Sequence, residues 1–436
     1  MVITAEARRR AQELLDFIDA SPSPWHAGAA LGRLLQGAGF EELREADRWA
    51  LRTGGRYFVS RGGSSVIAFV VGQAPPDETG VFMVGAHTDS PGLRVKPRAA
   101  YTSERLLRLG VEVYGGPILA TFTDRDLSLA GRINLRNNGA TKSVLVRIAE
   151  PLVRLPNLAI HMNRGVNEEG LKLNKQSELP LLLAEQLNGL APEGRFRGLL
   201  AASAGVDAGQ IVNWELHVYD TQKGTFWGAD QEFIADSQLD NLASCHAGLS
   251  ALMELDAPWR TGLCGFFDHE EVGSESAKGA DGSFLSDVLE RMTRALGLDH
   301  ESYKQALARS FMISADMAHA FHPNFPAAYE PNHQVHVNAG PVIKTNSNQR
   351  YATDSVSEAF FISLCESVNI GYQQYAHRTD LGCGSTIGPT IASRLGVSTV
   401  DVGNPMWAMH SCRESAGVVD HSSLIQVLKA YWEKQA

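Results

Sequence analysis

Four apolar runs in this chain each end at residues that can hold a metal ion or move a proton. Val81–Val84 is followed by His87 and Asp89, and Gly262–Phe267 by Glu270 and Glu271. Phe311–Ser314 is followed by Asp316 and His319, and Ser398–Val402 leads through Gly403-Asn404-Pro405 to His410. Asp240 opens a helical stretch just ahead of the glutamate run. In a parallel α/β sheet, functional groups collect beyond the carboxyl ends of the strands, so these side chains are candidates to converge. Histidine, aspartate and glutamate arriving together suit a borderline divalent ion such as zinc. Two histidines, two aspartates and one glutamate, with a second glutamate to spare, match a two-metal hydrolytic centre with a bridging carboxylate and a separate general base.

Taken singly, each signal has a plain structural reading. A His-x-Asp triplet is commonly a surface turn, Asp240-Asn241 can cap a helix, and Glu270-Glu271 can lie in a solvated turn. The physical argument for a common site is cost. Driving an apolar strand into adjacent ionised carboxylates is unfavourable unless the end is open to water or a cation meets it.

The elements that must position these groups are α/β in pattern. Ala7, Ala11, Leu14 and Ile18 repeat at helical spacing, Ser21-Pro22-Ser23-Pro24 breaks that helix, and a second helical stretch runs to Gly39. RYFVS and SSVIAFVVG flank Arg61-Gly62-Gly63 as a hairpin. From about Pro91 to Asp236 the texture becomes β-rich, with LLRLGVEVY, DLSLAGRINL, KSVLVRIAEPLV and NWELHVYD as strands and Leu179–Leu190 as the clearest helical window. After Asp236 the α/β alternation resumes, with Leu242, Cys245, Leu249 and Leu252 on one helical face and further strands at GLCGFF, SFMISA, GPVIK and STVDVG. The expected fold is α/β: a mixed or parallel-sheet core with helices on both faces, interrupted by a β-rich insertion. Residues 1–91 and 236–436 form the core and 92–235 the insertion.

Composition narrows the partners. A chain of 436 residues can bury a large core without disulfide staples, and its net charge of -10 argues against nucleic acid or an anionic membrane as the main partner. Five scattered cysteines without a CxxC pair fit reduced thiols in a cytoplasmic protein. The amino-terminal stretch lacks the uninterrupted apolar segment of a signal peptide, and no apolar run is long enough to span a bilayer.

Beyond these patterns, VGAHTDSPGLRVKP, DSQLDNLAS, DHEEVGSESAKGA, SADMAHAFHPN, NSNQRYATDSVSE, CGSTIGPTIASRLG and AMHSCRES, in this order, resemble the aspartyl aminopeptidase family of dinuclear zinc metallopeptidases. SPSPWHA, YGGPILATFTDRDLSLAGRI and NLAIHMNR extend the resemblance over nearly the whole chain. One departure is Phe122-Thr123, where the family usually shows tryptophan and phenylalanine before DRDL. The resemblance implies two Zn2+ per subunit, with Co2+ or Mn2+ as possible substitutes. It implies that Asp240 bridges them, His87 and Asp316 completing one site and Glu271 and His410 the other. Asp89 is suited to accept the second ring N–H of His87, and Glu270 is the spare carboxylate that takes the proton of the attacking water.

The family prefers amino-terminal Asp or Glu on short peptides, which requires a cation in the pocket. Lys344 is the candidate, its alternative being a solvated strand-end lysine. His319 can hydrogen-bond the reacting carbonyl or oxyanion, or simply pack. His161, in the insertion, is a candidate to act at a neighbouring subunit's site, because the family assembles as a homo-oligomer, a dodecamer. Cys383, ahead of a helix, has no base assigned to it, so the backbone there reads as pocket lining. The competing functions are a broad-specificity aminopeptidase, another dimetal amide hydrolase such as a carboxypeptidase or deacylase, and a non-catalytic assembly protein using metal structurally.

Overall fold

The computed structural model describes residues 3–137, 139–185 and 191–434. A nine-stranded mixed sheet runs, edge to edge, through Glu41–Leu43, Arg56–Arg61, Ser65–Val70, Thr261–Phe267, Val81–His87, Phe311–Ala315, Ser398–Gly403, Val342–Thr345 and Gln373–Ala376. Thr261–Phe267, Val81–His87, Phe311–Ala315 and Ser398–Gly403 are adjacent and parallel. Every residue of Thr261–Phe267 and Val81–His87 is buried, which requires cover on both faces of the sheet.

Side-chain alternation along these strands separates two cores. Phe82, Val84, Cys264 and Phe266 pack with Leu14, Leu242, Leu249 and Leu428, carried by the helices Ala5–Asp19, Leu239–Met253 and Val418–Glu433. Met83, Leu263 and Phe267 pack with Phe284, Val288, Tyr303 and Ile387, carried by Phe284–Ala295, His300–Arg309 and Ile387–Leu395. The hairpin Arg56–Arg61 to Ser65–Val70 turns through Gly62 and Gly63, whose φ values of +64° and +76° suit residues without a Cβ.

A separate six-stranded antiparallel sheet comprises Ala140–Arg147, Leu127–Asn137, Ile211–Asp220, Gly92–Ser103, Leu106–Tyr114 and Leu181–Glu185 in that order. The helix Pro192–Ala204 covers one face of it through Phe196 and Leu200. The window expected to be helical, Leu179–Leu190, is instead a strand over Leu181–Glu185, paired with Leu106–Leu109, and its residues 186–190 lie outside the described residues. A leucine run serves either structure, and an available strand edge decides it. The helix begins later, with Pro192 at its first turn.

A third sheet orders Thr225–Trp227, Phe233–Asp236, Glu414–Gly417, Pro405–Trp407 and Ala318–His319. Thus Phe233–Ala235, at the end of the stretch expected to be the insertion, pairs with Ser415–Gly417, beyond His410. All five cysteines are free, and only Cys383 is not fully buried. Among the described residues, no helix is long and apolar enough to cross a membrane.

Candidate metal centre

The carboxyl ends of the four parallel strands open into a cleft of about 630 Å3. His87, Asp240, Glu270, Glu271, Asp316 and His410 all line it, having arrived from stretches far apart in the chain.

His87 closes its strand, 2% exposed. Its Nδ1 lies 2.9 Å from the backbone carbonyl of Asp89, which can only accept, so the proton of the neutral ring sits on Nδ1 and leaves Nε2 the lone pair with which to bind a metal. That Nε2 is 3.5 Å from Asp240 Oδ1, 3.7 Å from Asp316 Oδ1 and 3.9 Å from Glu270 Oε2. His410 repeats the arrangement. Its Nδ1 donates to the Gly116 carbonyl at 3.1 Å, and its Nε2 faces Asp240 Oδ2 at 3.3 Å and Glu271 Oε1 at 3.5 Å. The two oxygens of Asp240 are therefore divided, one toward each imidazole.

Asp89 departs from its expected part. Its carboxylate is 3.5 Å from His87 Nδ1, and the backbone carbonyl makes the close contact instead. The carboxylate, fully buried, accepts the backbone N–H of Glu270 at 3.1 Å and of Glu271 at 3.2 Å, and the Tyr114 hydroxyl at 2.5 Å. It clamps the turn that presents both glutamates. That turn is a short 3-10 segment, Glu270–Val272, entered through His269 in the left-handed region.

Charge is unbalanced in this cleft. Burial pushes the Glu270 carboxyl up to about 8, with Asp316, Asp89 and Asp240 adding to the rise against the opposing pull of His87. Burial and the nearby Asp240 charge likewise hold Glu271 well above the ordinary carboxylate range. Burial alone would depress His87, but the carboxylates of Asp240, Asp316 and Asp89 outweigh it and raise its pKa. Such a cluster stabilises a cation. Asp240 Oδ1 and Glu271 Oε1 are buried without any hydrogen-bond donor. Two donors each about 2.0–2.1 Å from a tetrahedral zinc ion lie roughly 3.4 Å apart, which the spacings here match. His87, Asp240 and Asp316 form one potential cation-binding group, and Asp240, Glu271 and His410 another.

Lys344 is 2% exposed in the cleft wall, and its Nζ donates to the carbonyls of Asp316 at 2.9 Å and Met317 at 3.1 Å. The solvated-lysine alternative is thereby removed. His319 also lines the cleft; burial, with the Lys344 charge, lowers its pKa to about 4 and keeps the ring neutral. His161 is not brought to this cleft. It is exposed on the short turn Ile160–Met162 of the six-stranded-sheet region. Tyr114, Gly116 and Glu414 contact the candidate ligands or their supports; Tyr114 and Gly116 stand within YGGPILATFTDRDLSLAGRI and Glu414 within AMHSCRES, but none of the three has a role assigned from sequence.

Fold and donor set define a metal-dependent hydrolase. The family model described as "Aminopeptidase I zinc metalloprotease (M18)" matches residues 17–432. A relative in Pseudomonas syringae, "Probable M18 family aminopeptidase 2", is 48% identical over 425 residues, spanning 96% of this chain and 97% of its own. The chain in "Cryo-EM structure of the Ape4 and Nbr1 complex" superposes with a TM-score of 0.95 at 35% identity, covering 99% of this chain and 88% of that one. The "S. cerevisiae mApe1 dodecamer" gives 0.84 at 27% identity, covering 97% and 96%. The chain belongs to the M18 family of zinc metallopeptidases and is a metal-dependent aminopeptidase.

Proposed function

We propose that this aminopeptidase removes amino-terminal acidic residues, Asp or Glu, from short peptides at a centre of two zinc ions. The observation that carries the two-ion reading is the division of the Asp240 oxygens between His87 and His410. His87 and Asp316 would hold one ion with Asp240, and Glu271 and His410 the other. Zinc bound there supplies Lewis acidity to the scissile carbonyl and the attacking water.

Glu270 then acts on protons. Its carboxylate, 3.9 Å from His87 Nε2 and outside the assigned ligand set, is placed to accept the water's proton and pass it to the leaving amine. Asp89 and Tyr114 hold the Glu270 turn in place. His319, neutral and at the cleft wall, is suited to donate to the oxyanion. Lys344 has two of its three N–H groups on backbone carbonyls, and the third is the one available to a substrate carboxylate.

The same two bonds favour a second reading: Lys344 fixes the Asp316 turn, and specificity is broad. Zinc analysis with an amino-terminal residue panel, before and after chelation, separates these readings when repeated on Lys344→Ala. A loss at least tenfold greater on Asp- and Glu- than on Ala- and Leu- substrates supports the acidic pocket. An equal loss on both assigns Lys344 to the turn alone.

A dodecamer is named for the S. cerevisiae neighbour, and homo-oligomerisation is the reading adopted for this chain. Leu158, Ile160 and Met162, all exposed, flank His161 on a surface suited to a neighbouring subunit, where His161 would act. Light scattering that returns a stable monomer would remove both assignments and leave the chemistry intact.

A further inference from the structure

Glu414 is buried, 2% exposed, and no step above uses it. It begins the strand Glu414–Gly417, whose register sets it opposite Asp236, just upstream of Asp240. One carboxylate oxygen accepts the backbone N–H of Asp240 at 3.0 Å, and the other accepts that of His410 at 2.6 Å. These are the two residues whose side chains meet at 3.3 Å. Neither comes from a regular element that would fix its place. Asp240 has non-helical dihedrals at the head of its helix, behind Gln238 at φ +59°, and His410 sits at φ +68° on a loop. Left-handed backbone at non-glycine residues persists where surrounding contacts enforce it.

We propose that Glu414 is a positioning residue for the metal centre: it ties the Asp240 and His410 backbones to one carboxylate and so sets the spacing at which Asp240 Oδ2 and His410 Nε2 share an ion. This inference rests on the reading of Asp240 and His410 as zinc ligands. The side-chain type follows from the task. Both backbone groups donate, so two acceptors are needed. An amide offers one acceptor and turns its own N–H groups on the other donor. Aspartate keeps both acceptors but falls a methylene short.

The test is zinc affinity of the full-length protein, measured by competition with a chromophoric chelator, for Glu414→Gln, His410→Ala and the double variant. Glu414→Gln should weaken the more weakly held zinc by about 10–100-fold, the usual cost of losing a group that orients ligands. In the His410→Ala background the same change should cost clearly less than it does in the wild type, because the Asp240–His410 spacing that Glu414 sets has already lost one of its two ligands. Wild-type zinc affinity in Glu414→Gln, or a fully additive loss in the double variant, overturns the proposal. Unchanged affinity in His410→Ala overturns the ligand reading beneath it, so the two failures are distinguishable. Should Glu414→Gln not fold, Glu414→Asp carries the test: weakened affinity supports the proposal, and unchanged affinity overturns it.

Discussion

His87 and His410 present the same ring nitrogen to the same carboxylate, yet the chain delivers them differently. His87 ends a strand buried on both sides, and its Nδ1 is held by a carbonyl two residues away. Asp316 follows the next strand of the same sheet. Both side chains of this inner half are delivered by strands of the nine-stranded sheet. His410 stands on a loop with its side chain 30% exposed, and its Nδ1 is held by Gly116, which follows the strand Leu106–Tyr114 of the second sheet. Its neighbour Glu271 rides on a turn clamped by Asp89, which Tyr114 of that second sheet in turn holds. The outer half of the candidate centre therefore leans on the six-stranded sheet through Gly116 and Tyr114.

The largest effect is expected where the halves join. Asp240→Ala should abolish binding of both ions and lower turnover by more than about 1000-fold; elemental analysis that still finds a full zinc complement would break the shared-carboxylate picture. Glu270→Gln comes next. It should retain zinc and lose about 10²–10⁴-fold in kcat, the usual range for general acid–base work, and near-normal turnover in fully loaded protein would refute its role. Tyr114→Phe sharpens the comparison directly. Losing one hydrogen bond to Asp89 should reduce kcat by roughly tenfold and loosen the outer ion more than the inner one, since the Asp89 carboxylate holds the Glu271 turn whereas His87 meets only its backbone carbonyl. Equal weakening of both ions would show the halves to be mechanically one.

The smallest effect lies away from the centre. His246 Nδ1 and His421 Nε2 are 2.8 Å apart and fully buried. Burial lowers His246 to about 3 and, with the His246 charge, holds His421 well below its ordinary value. The unfolded chain takes up these protons near pH 6.5 and the folded one only at much lower pH. Their contribution is thus complete above 6.5 and is lost as pH falls toward about 3. Urea midpoints of the metal-free protein should drop between pH 7 and pH 5, and His421→Gln should flatten that slope.

That His87, Asp316 and the Glu270-Glu271 pair line one cleft was legible because each follows an apolar run that reads as a strand of a parallel sheet. The supports were not. Which atom of Asp89 meets the imidazole depends on loop geometry that residue types leave open, and the carbonyl wins because the carboxylate is taken by two backbone N–H groups and a phenol. Tyr114 and Gly116 open the stretch YGGPILATFTDRDLSLAGRI, but nothing in their residue types says that they reach Asp89 and His410 from the end of a strand in a different sheet. Glu414 stood four residues beyond His410, but its task is visible only once the strand beginning there pairs with Phe233–Asp236. The leucine run at 181–185 was misjudged for the same reason: the partner strand, not the run, determines its conformation.

Gly115, next to the carbonyl that holds His410, has φ +64°, and a Cβ there would meet the Glu271 side chain at 3.1 Å and its carbonyl oxygen at 3.2 Å. A bare peptide corner is thus wedged against one candidate ligand while its neighbour orients another. Any chimera that exchanges the Leu106–Tyr114 strand and its following turn between related enzymes must carry the glycine corner with it, or Glu271 will be pushed from its place in the cleft.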